Sequence, residues 1–208
     1  MNPESLLDAV SEDAMRELVN IGMGHAGAAI SEVTGREIFI DSPVVEVLSS
    51  FQGRQLPELQ HRVAVRVSMS FAGGLNGHAL LVLSREGASR LVEILVGSTP
   101  QQALLDESAQ SALLEIGNIL LNRVVGLLLN EIGGAVEYQL PRLQLRGIEA
   151  MIDLFSDLQK DADAGGMLIQ AALRVDREGI FGYVLLILSP SELRVLVGHI
   201  TRLAKRPR

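Results

Sequence analysis

The octapeptide GHALLVLS, Gly77–Ser84, recurs as GYVLLILS at Gly182–Ser189, 105 residues further along the chain. A short apolar run between turn-forming residues is typical of a buried β-strand. Asn76-Gly77 is a strong hairpin signal directly before the first copy. The stretch HRVAVRVSMSF, His61–Phe71, alternates apolar and polar residues with the period of a strand. The sequence therefore predicts a strand that is present twice, preceded in the first copy by a hairpin partner.

A helical pattern also occurs twice, at a smaller distance. Between residues 13 and 33 apolar or small residues recur with the helical period, in a stripe centred near Gly22 and Val33. Gly35 stands where a helix C-terminal glycine is expected. The same stripe returns from Ser111 onwards at an offset of 98 residues. Each predicted strand group is thus preceded by a long helix.

The two offsets indicate an internally duplicated chain with repeats of about residues 1–98 and 99–208. Thr99-Pro100, an N-cap residue followed by proline, starts the second repeat. The growth of the offset by seven residues predicts an insertion, which we expect in polar Ser156–Gly166. Two copies with one apolar sheet face each would most easily share a sheet under a layer of helices. We therefore expect one α/β domain of the α+β type, with pseudo-two-fold symmetry and a mainly antiparallel sheet of about six strands covered by helices.

Composition excludes several classes of function. A formal net charge of -7 over 208 residues argues against nucleic-acid binding, which needs a basic surface. The absence of cysteine excludes disulfides and thiolate chemistry and fits a reducing compartment. The four histidines show no ligand spacing, so no metal site is expected. The N-terminus does not resemble a signal peptide and the apolar runs are short, so we expect a cytoplasmic protein without membrane insertion.

The stretch NIGMGHAG, Asn20–Gly27, contains the dinucleotide-binding spacing G-x-G-x-x-G at Gly22, Gly24 and Gly27. That fingerprint requires a strand before the glycines and a helix that opens at them. Here the glycines fall inside a predicted helix, no strand precedes them, and the second copy keeps none of the three. The pattern therefore does not predict a pyrophosphate site.

Two polar residues are kept by both copies. Glu17 and Asn20 correspond to Glu115 and Asn118, and helical geometry places each pair opposite the apolar stripe. Exposed polar residues on a helix are ordinarily just solvated. Asparagine, however, costs a helix interior about 0.5 kcal/mol relative to alanine. Its recurrence at matched mid-helix positions favours a functional role.

The conserved spacing within the chain is [D/S]-x3-E-x2-N-x22-P, which stands as Asp13, Glu17, Asn20, Pro43 and again as Ser111, Glu115, Asn118, Pro141. It resembles the signature of the CheC/CheX/FliY family of chemotaxis phosphatases. The duplication and the F-x-G-x3-G turn from Phe71 to Gly77 resemble the CheC-type members most, since FliY-type members carry a further domain. The resemblance implies a protein that dephosphorylates a CheY-like response regulator.

The substrate implied by this resemblance is a phosphoaspartate held with Mg²⁺ in the regulator's own site, so no cofactor is expected on this chain. Its hydrolysis chiefly needs a water molecule held in line with the leaving oxygen. A side-chain amide can accept a hydrogen bond from that water without adding a full negative charge. Asn20 and Asn118 are the candidates for this role. By the resemblance, Glu17 and Glu115 pair with the regulator's active-site lysine.

A second interpretation remains open, because family resemblance does not establish turnover. The chain could be a non-catalytic adaptor that sequesters a response regulator or regulates the receptor deamidase CheD. The two sites also differ, since Asp13 is matched by Ser111 and Gly24 by Asn122. These differences suggest unequal activity of the two sites.

Overall fold

The computed structural model describes residues 6–49, 64–96, 106–133, 135–146, 165–175 and 178–205. Within these ranges the elements in chain order are α1 (Ala9–Thr34), β1 (Ile38–Ile40), β2 (Val44–Leu48), β3 (Ala64–Ala72), β4 (Gly77–Ser84), α2 (Arg85–Val96), α3 (Glu107–Ile132), β5 (Glu137–Tyr138), β6 (Arg142–Arg146), β7 (Gly165–Val175), β8 (Glu178–Leu188) and α4 (Pro190–Ala204). The predicted start of the second repeat at Thr99-Pro100 lies outside the described residues.

The long helices α1 and α3 begin and end at matched positions. Each has 26 residues and an aspartate N-cap, Asp8 for α1 and Asp106 for α3. The Asp8 carboxylate accepts the backbone N–H of Ser11 at 2.8 Å, which satisfies one donor of the first turn. Gly35 ends α1 in the left-handed conformation, with φ of 65°, and Gly133 ends α3 with φ of 87°. The predicted C-terminal role of Gly35 is confirmed.

The strands form one antiparallel sheet whose order is β1-β7-β8-β4-β3-β5, with β2 also paired to β7 and β6 also paired to β3. The eight strands of the described residues therefore occupy six positions across the sheet, in agreement with the expected number. The outer strands of the first half pair with β7 of the second half, and the outer strands of the second half pair with β3 of the first. This exchange binds the halves into one sheet, while the division of the chain near residue 98 stays a prediction.

The centre of the sheet is the pairing of β4 with β8. Leu80 lies opposite Leu185, and these two residues are equivalent at the repeat offset of 105. On either side Gly77 faces Leu188 and Leu83 faces Gly182. A strand that pairs with its own copy at an equivalent residue places the pseudo-two-fold axis at that residue pair. The axis therefore passes between Leu80 and Leu185.

The insertion in the second copy lies mainly in a hairpin. Five residues, 72–76, separate Phe71 from Gly77, whereas ten residues, 172–181, separate the equivalent Ala171 from Gly182. The expectation that the extra residues fall in Ser156–Gly166 is therefore wrong for these five. The longer hairpin extends β7 to Val175, and that extension is the part of β7 with which β1 pairs.

The four described helices share one hydrophobic core with one face of the sheet. The helix-facing side chains of the strands alternate along each strand, as the two-residue period requires, and include Val65, Val67, Met69, Phe71, Ala79, Leu81, Leu83, Met167, Ile169, Val184, Leu186 and Leu188. Helix α3 approaches the sheet closely at Gly117, where an added Cβ would lie 2.6 Å from Cγ1 of Val67. The lack of a side chain at Gly117 therefore sets how near α3 lies to β3.

One expectation about the packing stripe of α1 is wrong. Val33 is 61% exposed, although the helical period places it on the stripe with Gly22. The buried residues recur at nearly every fourth position and include Ser11, Met15, Val19, Met23, Gly27 and Ile30. The buried face thus turns around the helix as the neighbours of α1 change along its length. By the last turn, Val33 has rotated away from the core.

Candidate functional site

The motif residues of α1 form a row on its exposed face. Asp13, Glu17, Asn20 and Gly24 are all exposed, at spacings of three or four residues that bring side chains onto one side of a helix. Asp13 makes a surface ion pair with Arg16, at 3.4 Å between Oδ1 and a guanidinium nitrogen. Within the described chain no protein group hydrogen-bonds the side chain of Asn20. Its amide is therefore available to a molecule that approaches from solvent.

The three glycines of the first motif have different surroundings, and all lie within α1 as expected. A Cβ on Gly22 would lie 3.3 Å from Cδ2 of Leu127, so Gly22 permits close packing against α3. A Cβ on Gly27 would lie 3.2 Å from the carbonyl oxygen of Ile38. Around Gly24 there is no atom within 4 Å of such a Cβ. Gly24 therefore leaves open space one turn beyond Asn20.

The second row, on α3, is not a copy of the first. Ser111 and Glu115 are exposed, but Asn118 is only half-exposed, which corrects the expectation that it is as solvent-facing as Asn20. The physical reason is Asn122, which lies one turn on and donates its Nδ2–H to Oδ1 of Asn118 at 2.8 Å. The Oδ1 atom of Asn122 is itself buried without a hydrogen-bond partner. The sequence contained this signal, because asparagines four residues apart on a helix are neighbours.

The motif prolines have a structural position that is the same in both halves. Pro43 lies between β1 and β2, and Pro141 lies between β5 and β6. In each case three residues of the outer strand pass opposite two residues of its partner, so the outer strand contains one extra residue. Proline lacks the N–H that a regular ladder uses, and it is tolerated at such irregularities of an edge strand. The prolines therefore lie in the edge strands, and they are not part of the two exposed rows.

The two rows lie on helices that pack directly against each other. Gly22 of α1 approaches the backbone of α3, where its Cβ would lie 3.5 Å from Cα of Val124. Helices α2 and α4 lie beside α3 and α1 respectively, and their buried residues join the same core. The predicted N-cap Ser84 of α2 is confirmed, since its Oγ accepts the N–H of Gly87 at 3.0 Å. The helix layer thus presents both rows on one continuous framework.

The predicted capping box of α4 is formed only in part. Ser189 accepts the N–H of Glu192 at 3.3 Å, which is the expected cap. The Glu192 carboxylate, however, accepts a hydrogen bond from Nδ2 of Asn76 at 2.9 Å. It therefore links the first residues of α4 to the turn between β3 and β4.

Other polar groups offer no second constellation of this kind. Ser70 and His78 form a cross-strand pair, with 3.0 Å between Oγ and Nδ1, and partial burial lowers the pKa of His78. In the described ranges no group of three or more His, Asp or Glu side chains is placed to hold a metal ion.

Helix α3 is long and apolar enough to cross a membrane by length and composition, and half of that apolar window is buried in the protein. The buried core helix of a soluble protein has the same properties, and α3 packs against β3 in the core.

Comparisons with known proteins agree with this geometry. No family model matches the chain. The CheY-P phosphatase CheC of Bacillus subtilis (strain 168) is 27% identical over 128 residues, which are 56% of this chain and 58% of CheC, so the chain spans less than two thirds of that relative. Thermotoga maritima FliY has a TM-score of 0.71 at 19% identity, over 95% of this chain and 98% of that chain.

A chain of the FliG–FliM complex from H. pylori has a TM-score of 0.63 at 8% identity, over 92% of this chain and all of that chain. These two likenesses show the fold alone, because the identities are low. The similarity to CheC adds sequence evidence to the shared fold. They support the resemblance to the CheC/CheX/FliY family that the sequence predicts.

Proposed function

We propose that this chain removes the phosphoryl group from the phosphoaspartate of a CheY-like response regulator in the cytoplasm. The observation that carries the proposal is the pair of rows, exposed Glu17 with Asn20 and exposed Glu115 with half-exposed Asn118, on two matched helices. The relation to Bacillus subtilis CheC, which is named a CheY-P phosphatase, supports the same reaction.

The role that we assign to Asn20 and Asn118 is to orient the attacking water. The water oxygen forms a bond to phosphorus, the bond from phosphorus to the aspartyl oxygen breaks, and the products are inorganic phosphate and a free carboxylate. An amide oxygen accepts a hydrogen bond from the water and thereby holds it in line. A carboxylate there would repel the phosphoryl oxygens, by about 1 kcal/mol for unit charges 4 Å apart in water and by more in a dry interface.

The role that we assign to Glu17 and Glu115 is to anchor the regulator. Each glutamate precedes its asparagine by three residues, which is about 4.5 Å along a helix axis. A lysine ammonium of the regulator that pairs with the glutamate would therefore be held close to the phosphoryl group that the asparagine serves. Mg²⁺ belongs to the regulator's site in this proposal, and no residue of this chain is assigned to it.

The test uses a phosphorylated CheY-like regulator in large excess over this protein. Replacing both Asn20 and Asn118 by alanine should lower the rate of phosphate release at least about tenfold, because the water loses its orientation. Asn130→Ala is a matched control, since Asn130 is exposed on α3 but outside the row. A double variant that works as fast as the parent would contradict the proposal.

A second candidate function is a binding protein that sequesters the regulator or regulates the deamidase CheD. The observation that favours it is the similar fold of a chain in the FliG–FliM complex, because that chain belongs to a complex of two proteins. Stoichiometry separates the two functions. A phosphatase clears many equivalents of phosphorylated regulator, whereas sequestration saturates at one or two per chain.

A further inference from the structure

We propose that Asn122 restrains the site on α3, so that the site on α1 supplies most of the phosphatase turnover. This inference rests on the proposed function and deepens it. It assigns a positioning role to Asn122, a residue outside the [D/S]-x3-E-x2-N motif. It is carried by the difference between two structurally equivalent positions, 24 and 122, each of which lies one helical turn beyond the asparagine of its row.

In the α1 row no described side chain holds the asparagine by a hydrogen bond. Asn20 is exposed, and no described protein group hydrogen-bonds its side chain. At Gly24 the nearest turn of the helix presents no side chain, and even an added Cβ would meet no atom within 4 Å. The amide of Asn20 can therefore turn towards a bound regulator without breaking an existing contact.

The α3 row has such a contact. Asn122 donates Nδ2–H to Oδ1 of Asn118 at 2.8 Å, and this is the atom that we assign to the attacking water. The bond occupies one of the two lone pairs of that oxygen and fixes the plane of the amide. Gly24, at the equivalent position of α1, has no side chain that could make such a contact.

The burial of Asn122 makes this contact costly to give up. Its own Oδ1 is buried and has no hydrogen-bond partner, so the bond to Asn118 compensates only one end of its amide. If Asn118 turned away to meet a water or a regulator, the Nδ2 group of Asn122 would lose its acceptor as well. Asn122 is half-buried, and its amide would then lose the net value of this hydrogen bond while its oxygen stays unpaired. Asn118 therefore meets the substrate against a restoring interaction that Asn20 does not have.

Single-site variants measure the two rows separately. Asn118→Ala leaves the α1 row, and Asn20→Ala leaves the α3 row. We expect Asn118→Ala to retain most of the parent rate and Asn20→Ala to lose most of it. Equal losses in the two variants would overturn the inference.

A reciprocal exchange then tests position 24 against position 122. In the Asn20→Ala background, Asn122→Ala should raise the kcat of the α3 row about two- to tenfold, which corresponds to the loss of one hydrogen bond. In the Asn118→Ala background, Gly24→Asn should lower the kcat of the α1 row by a similar factor. Alanine is used first at position 122 because it favours the helix. Asn122→Gly is a second variant, which gives position 122 the glycine that the first copy has at position 24.

Three readouts keep a restraint distinct from a general structural effect. KM should change little in either exchange, because Glu115 and Glu17 still dock the regulator. The thermal midpoints of the variants report any loss of folding. A fall or no change in kcat for Asn122→Ala, with folding retained, would show that Asn122 orients Asn118 productively and would overturn the inference.

Failure of the inference and failure of the proposed function give different results. If the Asn20→Ala/Asn118→Ala double variant loses turnover but the exchanges have no effect, the phosphatase function stands and the restraint does not. If the double variant keeps the parent rate, both are wrong.

Discussion

Replacing Gly117 by alanine should weaken the packing of α3 on the sheet. The added Cβ would lie 2.6, 2.8 and 2.9 Å from Cγ1, Cβ and Cγ2 of Val67, all closer than normal carbon contacts. Val67 cannot easily yield, because its branched side chain has few rotamers and its strand is paired on both sides, with Leu81 of β4 and Leu143 of β6. We therefore expect α3 to be pushed outward.

The size of the effect follows from two opposing contributions. Alanine in place of glycine in a helix interior is favourable by about 1 kcal/mol. Overpacking of a well-filled core costs about 1–3 kcal/mol, and three close contacts with a rigid residue favour the upper part of that range. The free energy of unfolding should therefore fall by about 1–2 kcal/mol, which lowers the thermal midpoint by about 2–8 °C for a chain of this size.

Gly24→Ala is the matched control, because the same substitution in α1 meets no atom within 4 Å. It should gain the helical contribution alone and raise the free energy of unfolding by about 0.5–1 kcal/mol. Urea unfolding followed by far-ultraviolet circular dichroism measures both variants, provided that the slope with denaturant is unchanged. The two substitutions should therefore shift the stability in opposite directions.

A double-mutant cycle with Val67→Ala tests the assigned cause. Val67→Ala removes Cγ1 and Cγ2, so Gly117→Ala should cost less in that background than in the parent. If Gly117→Ala stabilised the parent as much as Gly24→Ala does, the close approach of α3 to β3 would be refuted.

Three further predictions concern single positions. Burial lowers the pKa of His78 in the folded protein, so on acidification the unfolded chain binds a proton before the folded one does. The free energy of unfolding should therefore fall as the pH drops below about 6.5. His78→Gln should reduce this fall, measured by urea titrations at about pH 7.5 and 5.5. Ser189→Ala removes the cap on the N–H of Glu192 and should cost about 1 kcal/mol in the same titrations, whereas Ser189→Asp should retain most of it. Gly73→Ala should cost at least about 2 kcal/mol by thermal unfolding, because φ is 151° and the new Cβ would overlap the carbonyl oxygen of Ala135; an unchanged midpoint would contradict that geometry.

Local patterns in the sequence were sufficient for several elements and for the exposed row of α1. The helical period and Gly35 predict α1, and the alternation before Phe71 predicts β3. The exposure of Glu17 and Asn20 follows from the same period, because a residue opposite an apolar stripe faces solvent. The caps Asp8 and Asp106 were not identified, since several aspartates and serines near each helix start offer the same chemistry.

The sequence by itself determined that one helix–strand unit is present twice and that Glu and Asn recur at matched positions of its long helix. Only the tertiary structure decided that the outer strands pair across the halves and that the symmetry axis passes between Leu80 and Leu185. The physical reason is that an edge strand has the same alternating pattern whichever hairpin it joins, so the choice depends on which edge is free in space. Likewise, the spacing of Asn118 and Asn122 permits a contact, but the burial that makes the contact costly to break depends on the surrounding fold.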